Sequence, residues 1–246
     1  MDGLLLLHAW PLDARMWEPQ VAGFDTSGVP VVAPHLPGFG GTEGAGDVMT
    51  MASAAERSLR ELDSTGLERA LVCGLSMGGY VAFELWRRAP ERFAGLVLAN
   101  TRAVADTSEA VTTRRELAAR LIREGNVLAK SPPPLLSGHA SEELQARVRE
   151  LIADQPASSI AAASLGMAER PDSSSDLAGI SVPTLVVTSD EDAMIPPDVS
   201  AAMAEGIPGA RLETIPRAGH LSSLEAPDEF NRLLQQHLER CSLAAS

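Results

Sequence analysis

Cysteine occurs only twice in this sequence, and aromatic residues make up just 4% of its 246 positions. Cys73 and Cys241 stand far apart and in no metal-ligating spacing, so neither a disulfide framework nor a metal site is expected. Cys73 closes an apolar run and reads as a small buried residue. No apolar run approaches the ~20 residues of a membrane span. The opening stretch has a short leucine run, no basic region and no small-residue cleavage site, so it does not read as a signal peptide, and a cytoplasmic protein is expected. Positive charge is also scarce. Twenty Lys and Arg face 33 Asp and Glu, a formal net charge of −13, which disfavours phosphate backbones and anionic membranes as partners. The densest basic cluster, Arg114, Arg115 and Arg120, is interleaved with Glu116 and Glu124 and reads as a solvated helix face. Neither a G-x-G-x-x-G after a strand nor a Walker lysine is present, so nucleotide has no cradle. No organic cofactor or metal is implied.

What is present is an ordinary globular balance, 45% apolar and 22% charged, at a length suited to one large domain. With so few aromatics the core must rest on Leu, Val and Ala. Short apolar runs at 4–7, 29–33, 70–73, 95–99, 183–188 and 211–215 lack the alternation of half-exposed strands. Such runs mark strands covered on both faces, hence a parallel sheet. Helical patterns near 48–64, 77–89, 198–205 and 227–240 separate them, which predicts a doubly wound α/β sheet of about six strands. From 102 to 176 no strand-like run occurs. A segment of that length is too long for a bare loop, and it reads as a helical cap inserted into a core made of 1–101 and 177–246.

The sharpest local signal is Gly74-Leu75-Ser76-Met77-Gly78-Gly79, set between the run ending at Cys73 and the helix that follows. A serine hydroxyl is a weak nucleophile unless exposed, aligned and partnered by a base. A tight strand-to-helix turn exposes it, leaves room only for glycine two positions either side, and aims the helix N-terminus at a developing oxyanion. A second oxyanion donor is expected from the loop after the first strand, His8-Ala9-Trp10-Pro11, with the Trp10 amide joining that of Met77. Pro11 has no N–H to give. Among five histidines, His220 lies in a loop after the last strand and is the candidate base, with Gly219 giving that loop freedom. His8 reads as structural, His237 as a surface residue on its helix, and His35 and His139 as rim candidates. The acid that orients such a base is expected after the run 183–188, where Asp190 and Asp192 are both placed to serve and Glu191 points away.

Together these residues resemble the α/β-hydrolase family over nearly the whole chain, with its small esterase, enol-lactonase and cofactor-free haloperoxidase members the nearest in character. The likeness is carried by His8–Pro11, Leu36-Pro37-Gly38-Phe39-Gly40, the Ser76 turn, the 190–196 turn and Gly219-His220. In such relatives the acid lies four residues before the proline of the turn, which falls on Asp192. The resemblance implies a carboxylic ester hydrolase acting on a small ester or lactone, with a Ser76–His220–Asp192 triad. Trp10, Phe39, Leu165, Met167 and Leu221 are the candidate substrate-binding residues. Peroxide-dependent perhydrolysis, carbon–carbon bond hydrolysis and a non-enzymatic ligand receptor are the competing readings. Three departures stand out. The antiparallel hairpin that usually precedes the first strand has no room here, which implies an unusual sheet edge and leaves a homodimer open. Ala9 replaces the usual glycine of the oxyanion loop, and His35 replaces an aspartate.

Overall fold

The computed structural model describes residues 3–25, 27–44 and 46–244. Six strands, β1 (Gly3–Leu7), β2 (Val31–Val32), β3 (Ala70–Leu75), β4 (Phe93–Ala99), β5 (Thr184–Ser189) and β6 (Arg211–Ile215), form one sheet in the order β2-β1-β3-β4-β5-β6. Every pairing is parallel. β1, β3, β4 and β5 are buried along their whole length, as their unbroken apolar runs require. β6 is only partly covered, with Arg211 and Glu213 on the sheet's outer strand, where charge discourages pairing with another edge.

Helices α1 (Glu18–Phe24), α2 (Met51–Thr65), α3 (Met77–Arg88), α7 (Pro197–Gly206), α8 (Ser222–Glu225) and α9 (Pro227–Ala244) accompany the sheet, while α4 (Ser108–Glu124), α5 (Glu142–Ala153) and α6 (Ala157–Ala168) all fall between β4 and β5. No strand occurs in that interval among the described residues. Local chemistry fixes several ends. Thr50 and Thr107 cap α2 and α4 by accepting the amides of Ser53 and Ala110, and Gly66 closes α2 in the left-handed conformation. The interval's entry and exit are laced together by Ser173 N–H to Ala103 O (2.9 Å) and Ala105 N–H to the Asp172 carboxylate (3.0 Å).

Two histidines are core residues. His237, expected at the surface, is 2% exposed and donates from Nε2 to Pro183 O at 3.1 Å. Phe230, Leu233, Leu234 and Cys241 share its buried helix face, at the three- and four-residue spacing that defines one. His8 is fully buried. Its Nε2 accepts the Leu36 amide at 3.0 Å, so the proton sits on Nδ1, which faces Ala9 O at 3.1 Å. Burial lowers its pKa from 6.5 to about 4, with the Ala9 carbonyl and the Asp13 carboxylate opposing only in part. The unfolded chain therefore takes up this proton more readily. The His8 contribution is complete above pH ~6.5 and is lost as pH falls toward 4, about 3 kcal/mol in all and about 2 kcal/mol by pH 5. Urea titrations near pH 7 and pH 5 will show this loss, and His8→Gln will flatten it. An equal slope in the variant would assign the acid sensitivity elsewhere.

Candidate active site

The strand order places a topological switch between β1 and β3: the chain leaves β1 outward to β2, then returns to the other side as β3. In open α/β sheets the crevice at the carboxyl ends of the strands flanking such a switch is where ligands bind. Here β1 ends at His8–Trp10 and β3 at Ser76, while β4 runs into Asn100–Arg102, β5 into the 190–192 turn and β6 into the loop carrying His220. All the strands are parallel, so these five segments share one edge of the sheet.

Ser76 sits at φ 56°, ψ −115° at the head of α3, a left-handed region costly for any residue with a Cβ. Its surroundings explain the flanking glycines. A Cβ at Gly78 would stand 2.0 Å from Leu7 O, and one at Gly74 would stand 2.3 Å from Gly78 O. Both obstacles are backbone and cannot swing aside. The turn is held by Ser76 N–H to Ala99 O (2.9 Å) and by Thr101 Oγ1 donating to Ser76 O (2.8 Å).

The 190–192 turn separates the two aspartates. Asp192 is 5% exposed and lies 2.9 Å (Oδ2) and 3.1 Å (Oδ1) from His220 Nδ1. Its Oδ1 also accepts the amides of Met194 (2.8 Å) and Ile195 (2.9 Å), and its Oδ2 accepts Asn100 Nδ2 (2.9 Å). Burial pushes this carboxyl up, but the His220 contact and the donors from Ile195 and Asn100 outweigh it and hold the group below the ordinary carboxylate value. Asp190 instead accepts the Arg217 amide at 2.6 Å and stays at the surface. Glu191 turns outward to His139, 2.9 Å away, so that histidine lines a separate surface cleft. His35 accepts the Ala14 amide and gives its carbonyl to Arg57, a structural joint.

His220 is 1% exposed. The freedom expected of Gly219 is not its role. A Cβ there would stand 2.5 Å from Ser137 N, so glycine lets the 135–137 segment press on this loop. Leu221 N–H donates to Leu135 O, and Glu225 accepts both the Gly219 amide and the Ser137 hydroxyl. Across the crevice Trp10 donates Nε1–H to Ile160 O of α6 (3.0 Å). Its backbone N–H and that of Met77 donate to no other group among the described residues. Ala9 is fully buried with its amide on Met16 Sδ.

A cleft of about 680 Å³ adjoins this edge. Of the candidate substrate-binding residues it takes only Trp10. Phe39 is fully buried edge-on to His8, Met167 and Leu221 are buried, and Leu165 packs half-buried against the core. Arg102 and Met194 border the cleft instead. Asn100 is a further residue that sequence reading passed over. It is fully buried at φ 46°, donates to Asp192 and Ser189, and accepts Ser222 Oγ at 2.6 Å.

A family profile described as "Alpha/beta hydrolase family" matches residues 4–233. The chain belongs to the alpha/beta hydrolase family. Among solved structures this hydrolase is similar to a thermophilic esterase from Thermogutta terrifontis, determined with malate bound. The two are 38% identical with a TM-score of 0.94, over 98% of this chain and 90% of that one. It is also similar to the enol-lactonase from Burkholderia xenovorans LB400, 26% identical with a TM-score of 0.87 over 97% and 91%. 3-Oxoadipate enol-lactonase 1 from Acinetobacter baylyi is 30% identical over 221 residues, 89% of this hydrolase and 81% of that protein. None of the described helices is long and apolar enough to cross a membrane.

Proposed function

We propose that this hydrolase cleaves small carboxylic esters or lactones through an acyl-enzyme on Ser76. The observation that carries the reading is the engagement of His220 Nδ1 by a buried, ionised Asp192. An imidazole held this way keeps Nε2 for a proton acceptor's work and has a counter-charge for the imidazolium. Ser76 attacks the carbonyl carbon while His220 takes its proton. The tetrahedral oxyanion receives the amides of Trp10 and Met77. His220 returns the proton to the leaving alkoxide, then activates water to release the acid. The uncommitted state of those two amides supports the oxyanion assignment, since each such donor is worth roughly 3–4 kcal/mol of barrier. Residues 102–176 act as the cap, its Trp10–Ile160, Leu135–Leu221 and Ser137–Glu225 contacts setting the crevice's upper wall.

A fluorophosphonate is expected to label Ser76 stoichiometrically and abolish hydrolysis of a short p-nitrophenyl ester in parallel. Labelling at another residue, or activity surviving full labelling, overturns the mechanism. Asn100→Ala is expected to lower kcat by about 10–100-fold with little change in KM, because a hydrogen bond to a charged group is worth ~1.5–3 kcal/mol. A rise in KM with kcat intact would instead make Asn100 a part of substrate binding.

A further inference from the structure

The charged residues bordering the 680 Å³ cleft are Arg102, Asp106, Glu109 and Arg114. Asp106 is shared between Arg114 and Arg170, and Glu109 is exposed in the first turn of α4. Arg102 is different. Among the described residues no carboxylate pairs with it. Its Nη2 donates to Met194 O at 2.9 Å, and its Nε is buried without a partner. A guanidinium has five N–H donors, so most of this one's capacity is uncommitted.

Its position is fixed by the site. Arg102 follows Asn100 and Thr101, whose side chains hold Asp192 and the Ser76 carbonyl. The residue it grips, Met194, has its own amide on Asp192. The cation therefore stands on the wall of the cleft, next in sequence to the residues that hold Asp192 and the Ser76 carbonyl. The same cleft is lined by apolar Trp10, Leu117, Leu128 and Met194 together with polar Thr107, Thr113 and Ser131. A cleft with this apolar share and one cation that no carboxylate pairs suits a short hydrocarbon chain with one terminal carboxylate. A dianionic phosphate would bring a second negative charge beside the exposed carboxylate of Glu109. A planar fork matches a carboxylate with two parallel hydrogen bonds.

We infer that Arg102 is the specificity-determining anion site of this enzyme, and that its preferred substrates are small esters or lactones bearing a free carboxylate remote from the scissile bond. The inference deepens the esterase reading and rests on it for the word substrate, but not for the binding itself.

The test compares the p-nitrophenyl half-ester of glutaric acid with the p-nitrophenyl ester of pentanoic acid, which share a chain length. Wild-type enzyme is expected to favour the half-ester in kcat/KM. In Arg102→Met the ratio between the two falls at least tenfold, mainly through KM, and Arg102→Lys restores part of it because charge survives without the fork. Glutarate binding, measured by calorimetry on wild type and Arg102→Met, needs no turnover. Binding at least tenfold weaker in the variant supports the anion site even if neither ester is hydrolysed, a result that would sink the esterase reading alone. An unchanged ester ratio, or glutarate bound equally or not at all by both proteins, overturns the assignment.

Discussion

Ser76→Ala is expected to lower kcat/KM on short p-nitrophenyl esters by about 10⁴-fold or more, leaving only what binding and the oxyanion donors supply. The loss is large because, in the proposed mechanism, the hydroxyl forms the covalent bond and no neighbour can replace it. Cys73, three positions back, is fully buried, and burial drives its thiol pKa far up. Thr101 is committed to the Ser76 carbonyl, and Asn100 to Asp192, Ser189 and Ser222. The fold should survive the change. Ser76 holds φ 56°, a conformation that costs a non-glycine residue ~1–3 kcal/mol, whereas glycine adds only ~0.5–1 kcal/mol of unfolded-state freedom. Ser76→Gly is thus expected to be as inactive as Ser76→Ala and to melt no earlier than wild type. A melting point several degrees lower would mean that the serine's own contacts stabilise the turn and that strain is not stored there. Near-wild-type hydrolysis by either variant would remove the acyl-enzyme altogether.

The Ser76 turn was legible because its requirement is local: strand, two glycines at fixed offsets, helix. The sheet was legible for a similar reason. Unbroken apolar runs are what strands covered on both faces need, and β1, β3, β4 and β5 meet that description; β6 and β2, the latter shrunk to Val31–Val32, are strands too but only partly covered, and α1 carries no comparable signal. What failed to show was whatever depends on partners far along the chain. Spacing within the 190–196 turn says nothing about which aspartate His220 meets, because the choice is made by an imidazole 28 residues away and an amide on Asn100, 92 residues away. Asn100 and Arg102 carry no motif of their own. They matter because β4 delivers them to the edge already occupied by Ser76 and Asp192. For His237 the polar neighbours Gln235, Gln236 and Glu239 favour a surface position, whereas the spacing to Phe230, Leu233, Leu234 and Cys241 carries the better signal. Of the five residues proposed for the substrate pocket, four owe their burial to packing, which composition cannot tell from a lining role.

The insertion between β4 and β5 hangs from a buried charge cluster, and Asp106→Ala is expected to cost about 3–5 kcal/mol of stability. The Asp106 side chain is 3% exposed. It takes Arg170 Nη2 at 2.8 Å and the Arg114 guanidinium, with Arg170 equally buried. Arg170 also donates to the carbonyls of Met167 and Val104, and its guanidinium carbon stands 4.1 Å from the Tyr80 ring centre. One aspartate thus ties the segment entering the insertion to the one leaving it and, through Arg170, to α3 beneath. Removing it leaves a cation buried and unneutralised, a far larger loss than deleting an exposed pair. In a chain of this size each kcal/mol moves the melting point by about 2–4 °C, so a fall of roughly 10 °C is expected in calorimetry. The pH dependence identifies the cause. Burial pushes the Asp106 carboxyl up, but the hydrogen bonds and charges of Arg170 and Arg114 prevail and hold it below its ordinary value. Its contribution is therefore complete above the unfolded carboxyl pKa near 4 and is lost as pH falls through the lower folded value, so variant and wild type should converge in stability toward pH 3. A constant gap down to that pH, or a melting point within 2 °C of wild type at pH 7, would show that the arginines are satisfied by their carbonyl partners and that the insertion is held by apolar packing.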